Sequence, residues 1–173
     1  MEGRKLKRAG VIRKIIEERE RVEASTGKTV IQKLIYFIQS RGLDLDYRFT
    51  LYTYGPYSPE LMEDMDIASE NGYINMVYNP AYLGYVISSG ERDIEDDLLT
   101  KEEINVIEEV MNNYAGYSAK ELELRATIQF FHDRLEIPEK DMIPEIKEIK
   151  PKFSEEDIRS AINEMKEIGY IYQ

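Results

Sequence analysis

His132 is the only histidine and cysteine is absent, so the side chains that most often do chemistry near neutral pH are almost missing. One imidazole cannot build a multi-histidine zinc site, and thiolate sites are excluded outright. No serine nucleophile motif accompanies His132, which is expected at a helix end, where an imidazolium would suit the dipole. The carboxylate pairs Asp96-Asp97, Glu102-Glu103 and Glu108-Glu109 fall where loops and solvated helix faces are expected. Ser25-Thr26-Gly27-Lys28-Thr29 has the ending of a phosphate-binding loop, but position 22 is Val where that loop needs Gly, and a helical pattern precedes it instead of a strand. It reads as a helix break and cap. These residues predict a chain that is not an enzyme and that uses no cofactor and no metal.

Two groups of residues suit binding. Eight of the thirteen tyrosines lie between Tyr47 and Tyr85, and tyrosine gives large contact area at low entropic cost. Within that stretch Tyr52, Tyr54, Gly55, Pro56 and Tyr57 form the candidate partner contact, carried on a loop. The second group is basic. Residues 1–21 hold eight Lys and Arg against four Glu, while the remaining residues hold 15 basic and 30 acidic side chains, for a net charge of −11. An acidic body repels phosphate backbones, which disfavours broad nucleic-acid binding. The basic segment keeps one local nucleic-acid contact open through Arg4, Lys5, Lys7 and Arg8, with Arg13 and Lys14 beside them. Lys28 and Lys33 would extend it if the first two helices pack side by side.

These groups need elements to position them. Leu6, Val11, Ile12, Ile15 and Ile16 predict a helix over 4–22. Val30, Ile31, Leu34, Ile35, Phe37 and Ile38 predict a core helix over 29–41, stopped by Gly42. Alternation over 47–54 predicts a strand that Gly55-Pro56 ends. Ser58-Pro59 opens a helix closed by Asn71-Gly72. That helix holds five acidic residues and no Lys or Arg, so it is not expected to enter a DNA groove. Residues 73–78 and 82–88 predict a hairpin around Asn79-Pro80, and the acidic stretch 90–97 the boundary between two lobes.

Thr100 with Glu103 and Ser118 with Glu121 fit capping boxes on two further helices, running to about 113 and 132. Three prolines predict an irregular connection over 137–151; Ser154 caps a last helix, Gly169 stops it, and 170–172 predict a short strand. Ser58…Gly72-Tyr73-Ile74 and Ser154…Gly169-Tyr170-Ile171 share one grammar: capped helix, glycine stop, aromatic segment. The expected fold is α+β and mostly helical: one domain over 1–173, with a winged helix–like lobe (1–90) carrying a small antiparallel sheet and a helical lobe (98–173).

Lys33-Leu34-Ile35-Tyr36-Phe37 followed by Tyr54-Gly55-Pro56-Tyr57-Ser58 resembles the opening of the YwgA-like bacterial and archaeal proteins and of the related SocA/Panacea antitoxin domain. Leu99-Thr100-Lys101-Glu102-Glu103 and the segment from Tyr114 through Ser118-Ala119-Lys120-Glu121-Leu122 are similar to the second half of that pattern, so the resemblance spans about 28–128. It implies a compact, largely helical domain without established enzymatic activity, and, in the Panacea relatives, toxin neutralisation by direct protein binding. After Leu122 the chain runs Glu123-Leu124-Arg125-Ala126-Thr127-Ile128 where that pattern has a His-rich ending, which places it nearer the YwgA-like branch.

The function expected is a cytoplasmic, prokaryotic protein-binding module, regulatory or antitoxin-like, whose partner is another protein and which can also pair with itself. The alternative is a nucleic-acid-associated regulator using the basic first helix. No apolar run approaches the roughly 18 residues of a membrane span.

Overall fold

In the second helix, residues 30–38 are all buried, the polar Gln32 and Lys33 included. A helix buried on every side must lie at the centre of the molecule. The computed structural model, which describes residues 2–173, builds the rest around it. The order is α1 (Gly3–Arg21), α2 (Lys28–Ser40), β1 (Thr50–Tyr52), β2 (Gly55–Tyr57), α3 (Pro59–Glu70), β3 (Ile74–Asn79), β4 (Gly84–Ser89), α4 (Lys101–Tyr114), α5 (Ala119–Asp133), α6 (Glu139–Ile149) and α7 (Glu155–Glu167). Helix α2 packs against α1, α3, α4, α5, β2 and β4, while α7 lies on α5 and α6. The fold is α+β and mostly helical, with small antiparallel sheets.

Local chemistry sets the helix ends. Ser58 Oγ accepts from the Leu61 N–H, and Pro59 follows at the first helical position, where its missing N–H costs nothing. Both capping boxes form, Thr100 with Glu103 and Ser118 with Glu121. The two Ser…Gly-Tyr-Ile segments close alike. Gly72 (φ 79°) and Gly169 (φ 80°) adopt left-handed backbone. The following Tyr73 and Tyr170 N–H groups bond back to Ala68 O (3.0 Å) and Met165 O (2.9 Å). Tyr73-Ile74 and Tyr170-Ile171 are then driven into the core, with Arg92 and Arg41 stacked over the two rings.

Three expectations change. First, β1 covers only part of 47–54, and Gly55-Pro56, expected to end the strand, belong to β2. A turn at Thr53-Tyr54 reverses the chain, so Leu51 pairs with Pro56. The sheet is therefore two separate hairpins, β1–β2 and β3–β4, and among the described residues β1 does not pair with the second hairpin as a winged helix's first strand would. Second, 137–151 is not irregular: it forms α6, with Pro144 inside. Pro144 is on the exposed face, and the carbonyl it deprives of a bond, on Lys140, is also at the surface; Met142 and Ile146 make the buried face one turn apart. Third, residues 170–172 form no strand; the Tyr172 N–H ends on His132 Nε2 at 3.0 Å. One hydrophobic cluster runs from Ala9 to Ile171, with members on both sides of the acidic stretch at 90–97.

The first helix and the third are joined by charge. Arg8, only 1% exposed, donates to Glu60 (2.8 Å), Asp64 (3.2 Å) and the carbonyls of Leu45 (2.8 Å) and Asp46 (3.1 Å), and stacks on Tyr47. Asp64 also accepts from the Tyr47 hydroxyl (2.7 Å) and Lys5 (3.1 Å). Removing one partner of a buried pair strands the other charge. Asp64→Ala is therefore expected to cost about 3–5 kcal/mol in urea unfolding. Arg4→Ala, which breaks only the exposed pair with Asp46, should cost under about 1 kcal/mol. Equal losses would contradict this assignment.

Candidate interaction surface

The Tyr-Gly-Pro-Tyr-Ser segment is held from behind. Gly55 has φ 93°, and a Cβ there would lie 2.9 Å from Thr127 Oγ1, so only glycine fits both the backbone and the space. Lys33 Nζ donates to Pro56 O at 2.7 Å. Gln32 bonds the Ser58 backbone twice, donating to its C=O (2.8 Å) and accepting from its N–H (2.9 Å). Lys150 Nζ reaches the Thr53 carbonyl and Glu123 (2.9 Å), and Lys152 shares the same carboxylate (2.6 Å). Two lysines thus share one buried carboxylate beneath the hairpin, and Lys33 lies within reach of its charge.

The five predicted contact residues accordingly divide. Tyr52 and Tyr54 stand in solvent, Tyr54 58% exposed at the turn. Tyr57 is half-buried with its ring 5.1 Å from that of Tyr52. Gly55 and Pro56 are buried and belong to the clamp. The exposed tip is Thr53-Tyr54, not the Gly-Pro step.

Tyr54 overlooks an open groove of about 760 Å³. Its other walls are the start of α2 at Gly27–Thr29, the 116–119 segment leading into α5, and the β3–β4 tip with Tyr82, Leu83 and Tyr85. Tyr82 and Leu83 are 71% and 84% exposed. A smaller cleft of about 230 Å³ adjoins it, sharing Lys28, Thr29 and Tyr54, and runs between Tyr52, Tyr57 and Met62 to Lys33. Lys28 Nζ lies over the Tyr85 ring, 4.3 Å from its centroid. Buried Arg19 forms part of the floor, donating to Thr26 Oγ1 (3.2 Å) and to the carbonyls of Ser25, Ala115 (2.8 Å) and Tyr117 (2.5 Å). Burial lowers its pKa. The hairpin itself was legible in the sequence; the exposure of Tyr82 and Leu83 was not, because only the turn aims them outward.

The four predicted basic contacts of the first helix are engaged within the protein, Arg4 in an exposed pair. Arg4 pairs with Asp46, Lys5 with Asp64 and Lys7 with Glu103, and Arg8 lies inside the protein, out of reach of a phosphate. Lys33, expected to extend a basic face, is buried. The acidic α3 turns Glu60 and Asp64 onto α1. His132 accepts the Tyr172 N–H at Nε2, which leaves the proton on Nδ1, 2.6 Å from Asp133. Among the described residues no group of three or more His, Cys, Asp or Glu is placed to hold a metal ion, and no helix is long and apolar enough to cross a membrane.

The model of the antitoxin SocA-like, Panacea domain matches residues 31–126. The chain belongs to this family. No curated protein matches it. The Panacea match takes in most of α2, the clamped Tyr-Gly-Pro-Tyr-Ser segment, both hairpins and α4, and ends inside α5. Lys150 and Lys152 lie beyond the Panacea match yet close the clamp against Glu123, so α6 and α7 are part of the scaffold.

Burial brings the Lys33 ammonium down to about 8, with Glu123 opposing the shift and Lys150 adding to it. An unfolded lysine titrates near 10.4. Below about pH 8 both states hold the proton and the folded state bears the desolvation cost. From about pH 8 to 10.4 the unfolded chain still holds a proton the folded one has shed, so stability rises with pH. Lys33→Met removes this dependence. Urea melts should show the wild type gaining up to about 3 kcal/mol on Lys33→Met between pH 7 and 10.4. A difference flat with pH would mean that the ammonium is solvated.

Proposed function

We propose that this Panacea-family protein acts in the cytoplasm as a regulatory, antitoxin-like module that binds another protein and catalyses no reaction, with the tyrosine-rimmed groove as the binding surface. The observation that carries the proposal is the division of labour in the two hairpins. The Gly-Pro step is fixed inside by Lys33, Gln32 and the Glu123 cluster, and it holds Tyr52 and Tyr54 outward, Tyr54 across the groove from Tyr82 and Leu83 and Tyr52 on the adjoining cleft. Rigid, exposed aromatics around a concavity supply contact area with little entropy left to lose on binding. The family relationship supports a protein as the partner.

Arg19 in the groove and Lys33 in the adjoining cleft support binding over catalysis, because they are already engaged. Arg19 is spent on carbonyls and Thr26, and Lys33 on Pro56. Neither is aimed at a reacting atom beside a matched acid or base, as catalysis requires.

The test is affinity capture from the native host with the wild type and with Tyr54→Ala/Tyr82→Ala, each with and without nuclease. A stoichiometric protein that survives nuclease and is retained at least about tenfold less by the double variant is expected, with melting temperature changed by no more than about 2 °C. Equal retention by both proteins, or a partner lost with nuclease, would overturn the proposal.

A further inference from the structure

Residues 71–90 contain no charged side chain, although 33% of the chain is charged. At that frequency about seven charges would be expected among twenty residues, and charges are a common device for keeping exposed strand edges apart. These residues form the β3–β4 hairpin and its flanks.

The hairpin's two edges are treated differently. The edge of β4 is covered, for Ile87 N–H donates to Thr26 O at 2.8 Å and Ser89 N–H to Glu20 Oε1 at 2.9 Å. The edge of β3 is open. The bond from Gly90 N–H to Tyr73 O (3.0 Å) continues the ladder and sets its phase, so Asn75 and Val77 face β4 with their backbone groups. Met76 and Tyr78 therefore present N–H and C=O outward. Among the described residues no hydrogen bond reaches those outward groups. Val77 is 64% exposed, and Tyr78 is exposed beside it.

We propose that β3 is a self-association edge: two copies of the chain pair β3 to β3, antiparallel about a two-fold axis, to make one four-stranded sheet. The charge pattern selects a second copy as the occupant. Every copy carries net charge −11, and a two-fold contact lays each patch on its own equivalent, where any charge tends to meet its like. An uncharged patch is self-complementary under that operation. Selection for a charged heterologous partner would leave complementary charges here, and the hairpin has none. With the axis at Val77, Met76 of each copy lies opposite Tyr78 of the other and exchanges both backbone bonds. Val77 meets its equivalent as a close, non-hydrogen-bonded pair. One six-residue strand buries less than the roughly 800 Å² per partner of a stable interface, so the dimer is a micromolar one. Strand β4 separates this edge from the groove, so pairing leaves the groove open.

Sedimentation of the full chain from about 1 to 300 μM, at about 150 mM salt to screen the net charge, tests this. The wild type is expected to pass from monomer to dimer within that range. Val77→Lys sets two ammonium groups against each other and should weaken dimerisation at least about tenfold, while Tyr54→Ala on the other hairpin leaves it unchanged. Amide exchange on the wild type gives a second readout: the Met76 and Tyr78 N–H groups should slow as concentration rises. A wild type that stays monomeric throughout overturns the proposal. So does a dimer that Val77→Lys leaves intact and in which those two amides stay unprotected. Neither outcome bears on partner capture through Tyr54 and Tyr82.

Discussion

Helix α2 has no solvent side between residues 30 and 38, so Gln32 and Lys33 must satisfy their polar groups inside the protein. Both do so on one segment: Gln32 on the Ser58 backbone and Lys33 on the Pro56 carbonyl. That requirement fixes the path of β1–β2 over the helix. It draws Gly55 against Thr127, where a side chain would collide. It also brings Ser58 to the point where its hydroxyl caps α3. A central apolar helix with two polar side chains is thus the reason why the Tyr-Gly-Pro-Tyr-Ser segment has its shape. The segment's buried members specify the scaffold, while Tyr52 and Tyr54 are what the scaffold presents.

Charge is organised by the same economy. A chain with net charge −11 would repel itself if its acids were spread evenly. The basic α1 counters the acids nearest the core: Arg8 and Lys5 take Glu60 and Asp64 of α3, and Lys7 takes Glu103 at the start of α4. On the far side, Lys150 and Lys152 neutralise Glu123. These inner cations explain how a net acidic chain and a locally basic sequence coexist. A positive segment 1–21 looks like a ligand surface when only charges are counted. Through Lys5, Lys7 and Arg8 it becomes a seam onto α3 and α4 once the partners are located.

What the sequence revealed follows from the range of the forces involved. Caps, glycine stops and amphipathic stripes act within a turn or two, and Thr100, Ser118, Ser154, Gly72 and Gly169 do what their neighbours predict. The core stripe of α2 and the β3–β4 hairpin were equally plain. The errors arose where a remote contact outweighed a local signal. Gly-Pro reads as the end of a strand, but the Lys33 amine holds it, close against Thr127, as the second strand of a hairpin. Pro144 reads as a break, but burial of Met142 and Ile146 carries the helix past it. Tyr-Ile-Tyr at the end reads as a strand, but His132 takes the Tyr172 N–H that a neighbouring strand would have needed. In the candidate site the residue types were visible and their orientation was not, because solvent exposure at Tyr54, Tyr82 and Leu83 is set by two turns whose places depend on α2.

The exposed tyrosines then need a physical account of their own. Nothing in the core requires Tyr54, Tyr82 and Leu83, which give up apolar surface to water that a polar residue would leave solvated at no cost. Elsewhere this chain shows that it can bury its rings, with Tyr36, Tyr47, Tyr73, Tyr114 and Tyr170 all inside. The exposed rings cluster on two hairpins facing one groove, and each hairpin's backbone is anchored, one by Lys33 and Lys150 and the other by Thr26 and Glu20. Anchoring the base of a strand pair while leaving its tip aromatic and wet costs solvation in the isolated chain. That cost is recovered when another surface covers the tips, which is the physical argument for proposing the groove, and not the charged first helix, as the binding surface.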